Sequence, residues 1–219
     1  MHPSTNMSVL SFFLFGTFSF AVLSVFYLKQ KDAPFRLFGL ALVLIALAFA
    51  VWSYVVYARP ANLELITTIG VAPFVLAFGV LFAVSASSLK GKHKIFVYIF
   101  SALFVTLFAL LRVFFYGSNP AFDDKGFFYF NADPVILYLY VLAISFSILP
   151  AVYVLGRQIK NITLRIVMEL GFTLIAIGTI VLIISYDDWL QVINGWGMII
   201  VLIILLLTHL TTRFKDKSS

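Results

Sequence analysis

Cysteine is absent from this chain of 219 residues, which excludes a disulfide framework, a cysteine-ligated zinc site and a thiol nucleophile. Charged residues are also scarce, at 11% of the sequence, whereas soluble domains contain about a quarter. The chain is 63% hydrophobic and its mean hydropathy is +1.08. A water-soluble domain of this size cannot bury that much apolar surface, and a disordered chain would not contain it. The composition therefore indicates a membrane protein.

Seven apolar stretches are each long enough to cross the membrane as a helix, which takes about 20 residues for about 30 Å of hydrocarbon. The alternation of polar and apolar residues that marks a membrane β-barrel is missing. We therefore predict an all-α integral membrane protein, a seven-transmembrane-helix bundle that forms one domain over residues 1–219. The predicted spans are 8–28, 35–57, 63–89, 95–116, 134–155, 162–186 and 189–210.

Lysine and arginine are distributed unequally between the two sides of the predicted bundle. Three of the 15 fall on one side, and the other 12 fall in the loops of the opposite side and in the C-terminal segment. Because basic loops stay in the cytoplasm, we expect an external N-terminus and a cytoplasmic C-terminus in the plasma (inner) membrane of a prokaryote. No basic residue precedes the first span, which predicts a retained anchor rather than a cleaved signal. The 12 are Lys29, Lys31, Arg36, Lys90, Lys92, Lys94, Arg157, Lys160, Arg165, Arg213, Lys215 and Lys217.

The formal charge of +6 comes from basic residues that lie mainly in the loops on one side of the bundle, as the positive-inside rule expects. It therefore gives no indication of nucleic-acid binding. The expected partner is the lipid bilayer.

The longest connection, residues 117–133, lies on the external side of the predicted bundle. Two turn-forming clusters flank its aromatic run Phe127, Phe128, Tyr129 and Phe130, which favours a short hairpin or a half-turn. One interpretation places these aromatic rings in the membrane interface. The other makes the loop a lid over an outward-facing ligand pocket, as long loops in compact domains often are.

Ionisable residues inside predicted spans are costly, at about 2.5 to 3.5 kcal/mol each at mid-bilayer. Glu169 lies four residues after Arg165, so the two share a helix face and can form a local ion pair. The alternative is a Glu169 that faces the bundle interior, pairs with another helix or takes up a proton. We expect Arg112 to snorkel to the surface, the alternative being a pair with Asp187 or Asp188.

The sequence offers little catalytic chemistry. Its three histidines, His2, His93 and His209, lie near termini or in a loop, so we expect no metal site and no haem; we interpret His209 as an interfacial histidine. Asp187–Asp188 is an acidic pair without the second Asp-rich motif that a shared Mg²⁺–diphosphate site requires, and no nucleophile elbow or phosphate loop is present. The predicted span 189–210 contains no lysine, which excludes a retinal Schiff base. We therefore expect neither an enzyme nor a cofactor.

The chain resembles the seven-helix sensor region found at the N-terminus of many bacterial histidine kinases. The resemblance rests on the topology, the basic turn 29–36, Trp52 near the outer end of the second span, and the stretch 126–129 that leads into 134–140. In that family the seventh helix continues into a cytoplasmic output domain. Here residues 213–219 end the sequence without a kinase domain. The resemblance therefore implies that a separate cytoplasmic protein receives the signal, the alternative being that the sequence is a piece of a longer chain.

Together these observations predict a receptor-like sensor that binds an apolar or amphipathic ligand from the outer side. The expected ligand pocket lies beneath residues 127–130 and includes Trp52. A small transporter or a membrane scaffold subunit is the alternative, although the first three spans share no motif with the last three, as the repeats of many carriers do. Oligomerisation is compatible with both.

Overall fold

A computed structural model describes residues 7–115, 119–124, 127–185 and 187–218, with side chains at all of these except 113, 115 and 213–218. Within these residues, seven helices are long and apolar enough to cross a membrane, so the chain is a multi-pass membrane protein. The helices are α1 (Met7–Leu28), α2 (Ala33–Ala58), α3 (Leu63–Ala86), α4 (Gly91–Leu110), α5 (Pro134–Gly156), α6 (Ile162–Ile184) and α7 (Asp188–Ser218).

All seven predicted spans correspond to these helices, but several ends differ. The third span was expected to reach Leu89, whereas α3 ends at Ala86, because the hydroxyl groups of Ser87 and Ser88 donate to main-chain carbonyls of the last turn. The last helix continues to Ser218, eight residues past the predicted end, since polar residues also form helix. The predicted ends Tyr116 and Tyr186, together with 1–6, 117–118, 125–126 and 219, lie outside the described residues.

Six helices close into a ring in which α1 packs against α2, α2 against α3, α3 against α5, α5 against α6, α6 against α7, and α7 against α1. The fourth helix lies outside this ring and packs mainly on α3. Only 11% of its most apolar window is buried within the protein. Most of the α4 surface therefore faces lipid, and α4 is the helix least held by its neighbours.

The connections separate the bundle into two ends. We call the end with the loop between α4 and α5 the hairpin end, and the end with the lysine-rich turns between α1 and α2, α3 and α4, and α5 and α6 the basic end. Buried aromatic rings form much of the core toward the hairpin end, where Phe12, Phe13 and Trp52 surround Phe49 at centroid distances of 5.2 to 5.7 Å. These rings support the residues that form the candidate site.

Candidate functional site

A two-stranded antiparallel hairpin forms in the loop between α4 and α5. Strand β1 (Ala121–Phe122) pairs with β2 (Phe128–Tyr129), with Ala121 opposite Tyr129 and Phe122 opposite Phe128. Asp123 closes the hairpin, since its main-chain N–H donates to the carbonyl of Phe127 and its carboxylate accepts from the Phe127 N–H at 2.7 Å. The local hydrogen bonding of an aspartate at a turn explains why the chain reverses here.

The aromatic residues of the hairpin point into the bundle. Phe127 is 8% exposed and Phe128 is 2% exposed. Phe128 packs edge-on against Phe130 at 4.9 Å between centroids, and Phe130 packs edge-on against Trp52 of α2 at 5.2 Å. Phe127 and Phe128 are buried and Phe130 is partly buried, so the three rings cover the hairpin end of the bundle. The interpretation of these rings as an interfacial belt is therefore wrong for Phe127 and Phe128.

Tyr129 joins the hairpin to the start of α7. Its hydroxyl donates to the Oδ1 atom of Asp188 at 2.6 Å. Desolvation, followed by the hydrogen bond to Asp188 and the charges of Asp188, Asp123 and Asp187, raises the pKa of Tyr129 above its usual value. The phenol therefore remains protonated and keeps donating throughout the physiological pH range.

Little space remains beneath the hairpin. The cavity there has a volume of about 10 Å³, which is close to the minimum for one water molecule. Trp52, Phe130, Arg112 and Tyr140 are among the residues that line it. Trp52 is 3% exposed, and within the described residues its indole Nε1 has no hydrogen-bond partner. Trp52 and Phe130, which we expected to line one pocket, are therefore in contact. Their own side chains occupy most of the space in which we expected a ligand.

Arg112 lies in a short π-helical segment, Leu111–Phe115, that continues α4. It is 4% exposed, so the prediction that it snorkels to the surface is wrong. Its guanidinium donates to Thr68 Oγ1 of α3 at 3.2 Å, and Arg112 and Tyr140 of α5 line the same small cavity beneath the hairpin. Because the side chain points into the bundle, its charge lies beside polar groups instead of lipid. Its π-helical segment is a second reason for interest, since π-helical turns frequently occur at functional sites.

A second cavity, which we call the lateral cleft, lies between α3 and α4 and has a volume of about 240 Å³. Among the described residues its lining is apolar except for Thr68 and Arg112. Arg112 and Val71 also line the small cavity beneath the hairpin, so Arg112 separates the two spaces. The lining of the lateral cleft consists of Thr68, Val71, Ala72, Val75, Leu76, Val105, Phe108, Ala109 and Arg112.

The predicted pair of Arg165 and Glu169 lies near the basic end of α6. Arg165 Nε is 2.9 Å from Glu169 Oε1, and the two side chains are 34% and 30% exposed. The Glu169 side chain also lies directly over Gly156 of α5, where a Cβ atom would clash with it. This geometry is that of a local ion pair packed on a neighbouring helix, and it is far from the hairpin.

Several residues of the site were not found by sequence reasoning. Thr68 and Tyr140 gave no signal, because they meet Arg112 only through the packing of three helices. An arginine inside an apolar segment was the available signal for the lateral cleft.

His209, which we expected at the membrane interface, is 7% exposed and forms a hydrogen bond with the hydroxyl of Tyr27. Within the described residues no group of three or more histidine and acidic side chains is placed to hold a metal ion.

Comparison of the chain with protein-family models, curated proteins and solved structures gives no match.

Proposed function

We propose that this protein is a receptor-like sensor, without enzymatic activity, for an amphipathic molecule that reaches it through the bilayer. The proposal includes an external hairpin end and a cytoplasmic basic end in a prokaryotic inner membrane, as the distribution of lysine and arginine favours. A cytoplasmic signalling protein that contacts the basic end would receive the signal.

The observation that supports this proposal most strongly is the lateral cleft. Its volume of about 240 Å³ compares with about 10 Å³ beneath the hairpin and about 30 Å³ in the apolar cavity at the centre of the bundle. Closed pockets for small ligands usually have about 300–1,000 Å³. A slightly smaller cleft suits a chain-like molecule that lies partly in the cleft and partly among the lipids. The ligand site is therefore proposed between α3 and α4, and not beneath residues 127–130.

The lining of the lateral cleft defines the chemical class of the ligand. Valine, alanine, leucine and phenylalanine side chains form its walls, which suits an aliphatic chain. Arg112 and Thr68 provide a cation and a hydroxyl at one place in this apolar lining. A carboxylate can accept charge-assisted hydrogen bonds from the guanidinium, and these are stronger than bonds between neutral groups. We therefore propose an aliphatic carboxylate as the ligand.

Binding of such a head group would compete with Thr68 for the guanidinium of Arg112. Because Arg112 also lines the cavity with Trp52 and Phe130, a change in its position alters the support of the hairpin. The loosely packed α4 is the element that would move. The ligand shifts the packing only if it binds one arrangement better than the other, and a change from 1:99 to 99:1 requires about 5.5 kcal/mol.

The experiment is a titration of the protein in nanodiscs of zwitterionic lipid with dodecanoate, followed by thermal unfolding. Ala72→Trp fills the lateral cleft, and the matched control Ala50→Trp places the same side chain on an exposed position of α2. We expect dodecanoate to stabilise the wild type and the control but not the Ala72→Trp variant. Equal stabilisation of all three proteins would contradict the proposed site.

The role of Arg112 has its own control. Arg112→Gln should weaken dodecanoate binding about tenfold or more, the value of one hydrogen bond to a charged group, and leave dodecanol binding unchanged. A variant that loses both ligands equally would show that Arg112 supports the fold rather than the head group. Uptake of dodecanoate into liposomes that contain the protein would instead favour the transporter alternative.

A further inference from the structure

A cavity of about 410 Å³ opens at the basic end, on the opposite side of the molecule from the lateral cleft. It lies where the end of α1, the start of α2, the turn between α5 and α6, and α7 come together. Within the described part of the chain, its lining includes Tyr27, Lys29, Asp32, Lys160 and His209. We call it the basic-end cavity. Its volume is within the range of small-molecule sites, about 300–1,000 Å³.

A buried hydrogen-bonded pair is part of its wall. Tyr27 is 4% exposed and His209 is 7% exposed, and the Tyr27 hydroxyl lies 2.7 Å from His209 Nε2. His209 Nδ1 is 2.7 Å from the carbonyl oxygen of Leu205, which can only accept, so Nδ1 bears a proton. In the neutral imidazole Nε2 then accepts from the Tyr27 hydroxyl. The pair fixes α1 to α7 and holds two polar side chains at the cavity.

The other polar residues of the cavity are mainly donors. Lys29 and Lys160 bring ammonium groups from two different turns, and Gln30 and Gln158 bring side-chain amides from the same two turns. Among the lining residues that the structure describes, Asp32 is the one acidic residue, so two lysines outweigh one carboxylate there. Lysine ammonium groups bind phosphate as point charges, without the planar geometry that arginine requires. The polar part of the cavity is therefore suited to a phosphate group.

The apolar part of the lining, Phe26, Phe35, Ile159 and Leu164, belongs to the same cavity. A ligand that fits both parts has an apolar body and a phosphate group. We propose that the basic-end cavity binds a phosphate ester. The phosphate bridges Lys29, in the turn between α1 and α2, and Lys160, in the turn between α5 and α6. The ester is either the head group of an anionic lipid or a soluble phosphorylated molecule. This site is separate from the lateral cleft and does not depend on the proposed sensor function.

Histidine NMR provides a direct readout, because the chain has three histidines and, of the two within the described residues, His209 lines the cavity and His93 does not. Protein labelled with ¹⁵N-histidine is placed in phosphatidylcholine nanodiscs. One arm adds phosphatidic acid to the lipid, and the other adds glycerol 1-phosphate to the buffer. The test variant is Lys29→Gln/Lys160→Gln. The matched control, Lys90→Gln/Lys92→Gln, removes two lysines at the same end that do not line the cavity.

We expect a phosphate ester to shift the His209 signals and to leave those of His93 unchanged. The test variant should bind about tenfold more weakly for each lysine removed, whereas the control binds as the wild type does. A response to phosphatidic acid alone identifies a lipid head group, and a response to glycerol 1-phosphate identifies a soluble ester. No shift of His209 in either arm would overturn the proposal. An equal loss in both variants would also overturn it, since the attraction would then be that of a generally basic surface.

Discussion

Individual side chains in this bundle are limited by how closely neighbouring helices approach. Gly70 of α3 shows this, because a Cβ atom built there would lie 2.6 Å from Trp52 Nε1 and 3.2 Å from a methyl group of Val51. The absent side chain lets the indole of Trp52 approach α3 closely, and the same indole packs against Phe130 next to the hairpin. A glycine in a membrane span is thus part of the support of the candidate site.

Gly70→Ala should destabilise the protein by about 1–3 kcal/mol, the usual cost of overpacking a core. The measurement is the unfolding transition in detergent, monitored by the fluorescence of tryptophan. Gly197→Ala is the matched control, since no atom lies within 4 Å of a Cβ built there. Alanine has the higher helix propensity, so the control should be neutral or slightly stabilising. If the two variants unfolded alike, the close packing of Trp52 on α3 would be refuted.

Glu169 and Arg165 are about one third exposed and adjacent on one helix, so their pair contributes little stability. Glu169→Gln should lower the free energy of unfolding by less than about 1 kcal/mol and leave dodecanoate binding unchanged. Chemical unfolding and the titration described above measure both quantities. A loss of several kcal/mol would show that Glu169 has a partner on another helix.

Tyr129 holds the hairpin to the bundle through the hydrogen bond from its hydroxyl to Asp188 of α7. Tyr129→Phe removes the hydroxyl that donates to Asp188 and should cost about 1 kcal/mol, since the bond is to a charged group but partly exposed. Hydrogen exchange of the hairpin amides measures the effect. Tyr138→Phe, at a position 72% exposed on α5, is the control and should change nothing.

The same hydrogen bond has a defined pH dependence. Because folding raises the pKa of Tyr129 above the ordinary value of about 10, its contribution is constant below that pH and decreases above it. The difference in stability between wild type and Tyr129→Phe should therefore be the same at about pH 7 and about pH 9, and smaller above about pH 10. A difference that grew with pH would contradict the assigned donor.

The seven helices were predictable because each apolar run has to satisfy its own backbone hydrogen bonds in lipid. The residues at which these helices begin and end were less predictable. Hydropathy reports contact with lipid, whereas a helix ends where its backbone loses partners, as at Ser87, or continues into polar sequence, as α7 does. The hairpin was one of two structures that the turn clusters favoured.

The molecule as a whole has features that no local pattern contains. The contact of Tyr27 with His209 joins residues 182 positions apart, and the ring closes through α1 and α7. The position of α4 outside the ring follows from the packing of all seven helices, and hydropathy did not predict it, since α4 has the lowest window hydropathy of the seven, 1.9, although little of that window is buried. The lateral cleft and the basic-end cavity both depend on such long-range packing.

The proposed sensor function rests on one premise, that the hairpin end is outside the cell and the basic end is inside. Since the chain has no cysteine, single cysteines can be introduced without competing thiols. Asp124 lies on the hairpin and Lys92 lies in the first turn of α4, and both positions are exposed. Intact cells are treated with a membrane-impermeant maleimide, before and after permeabilisation. We predict that Asp124→Cys reacts in intact cells and that Lys92→Cys reacts only after permeabilisation; the reverse pattern would contradict the account.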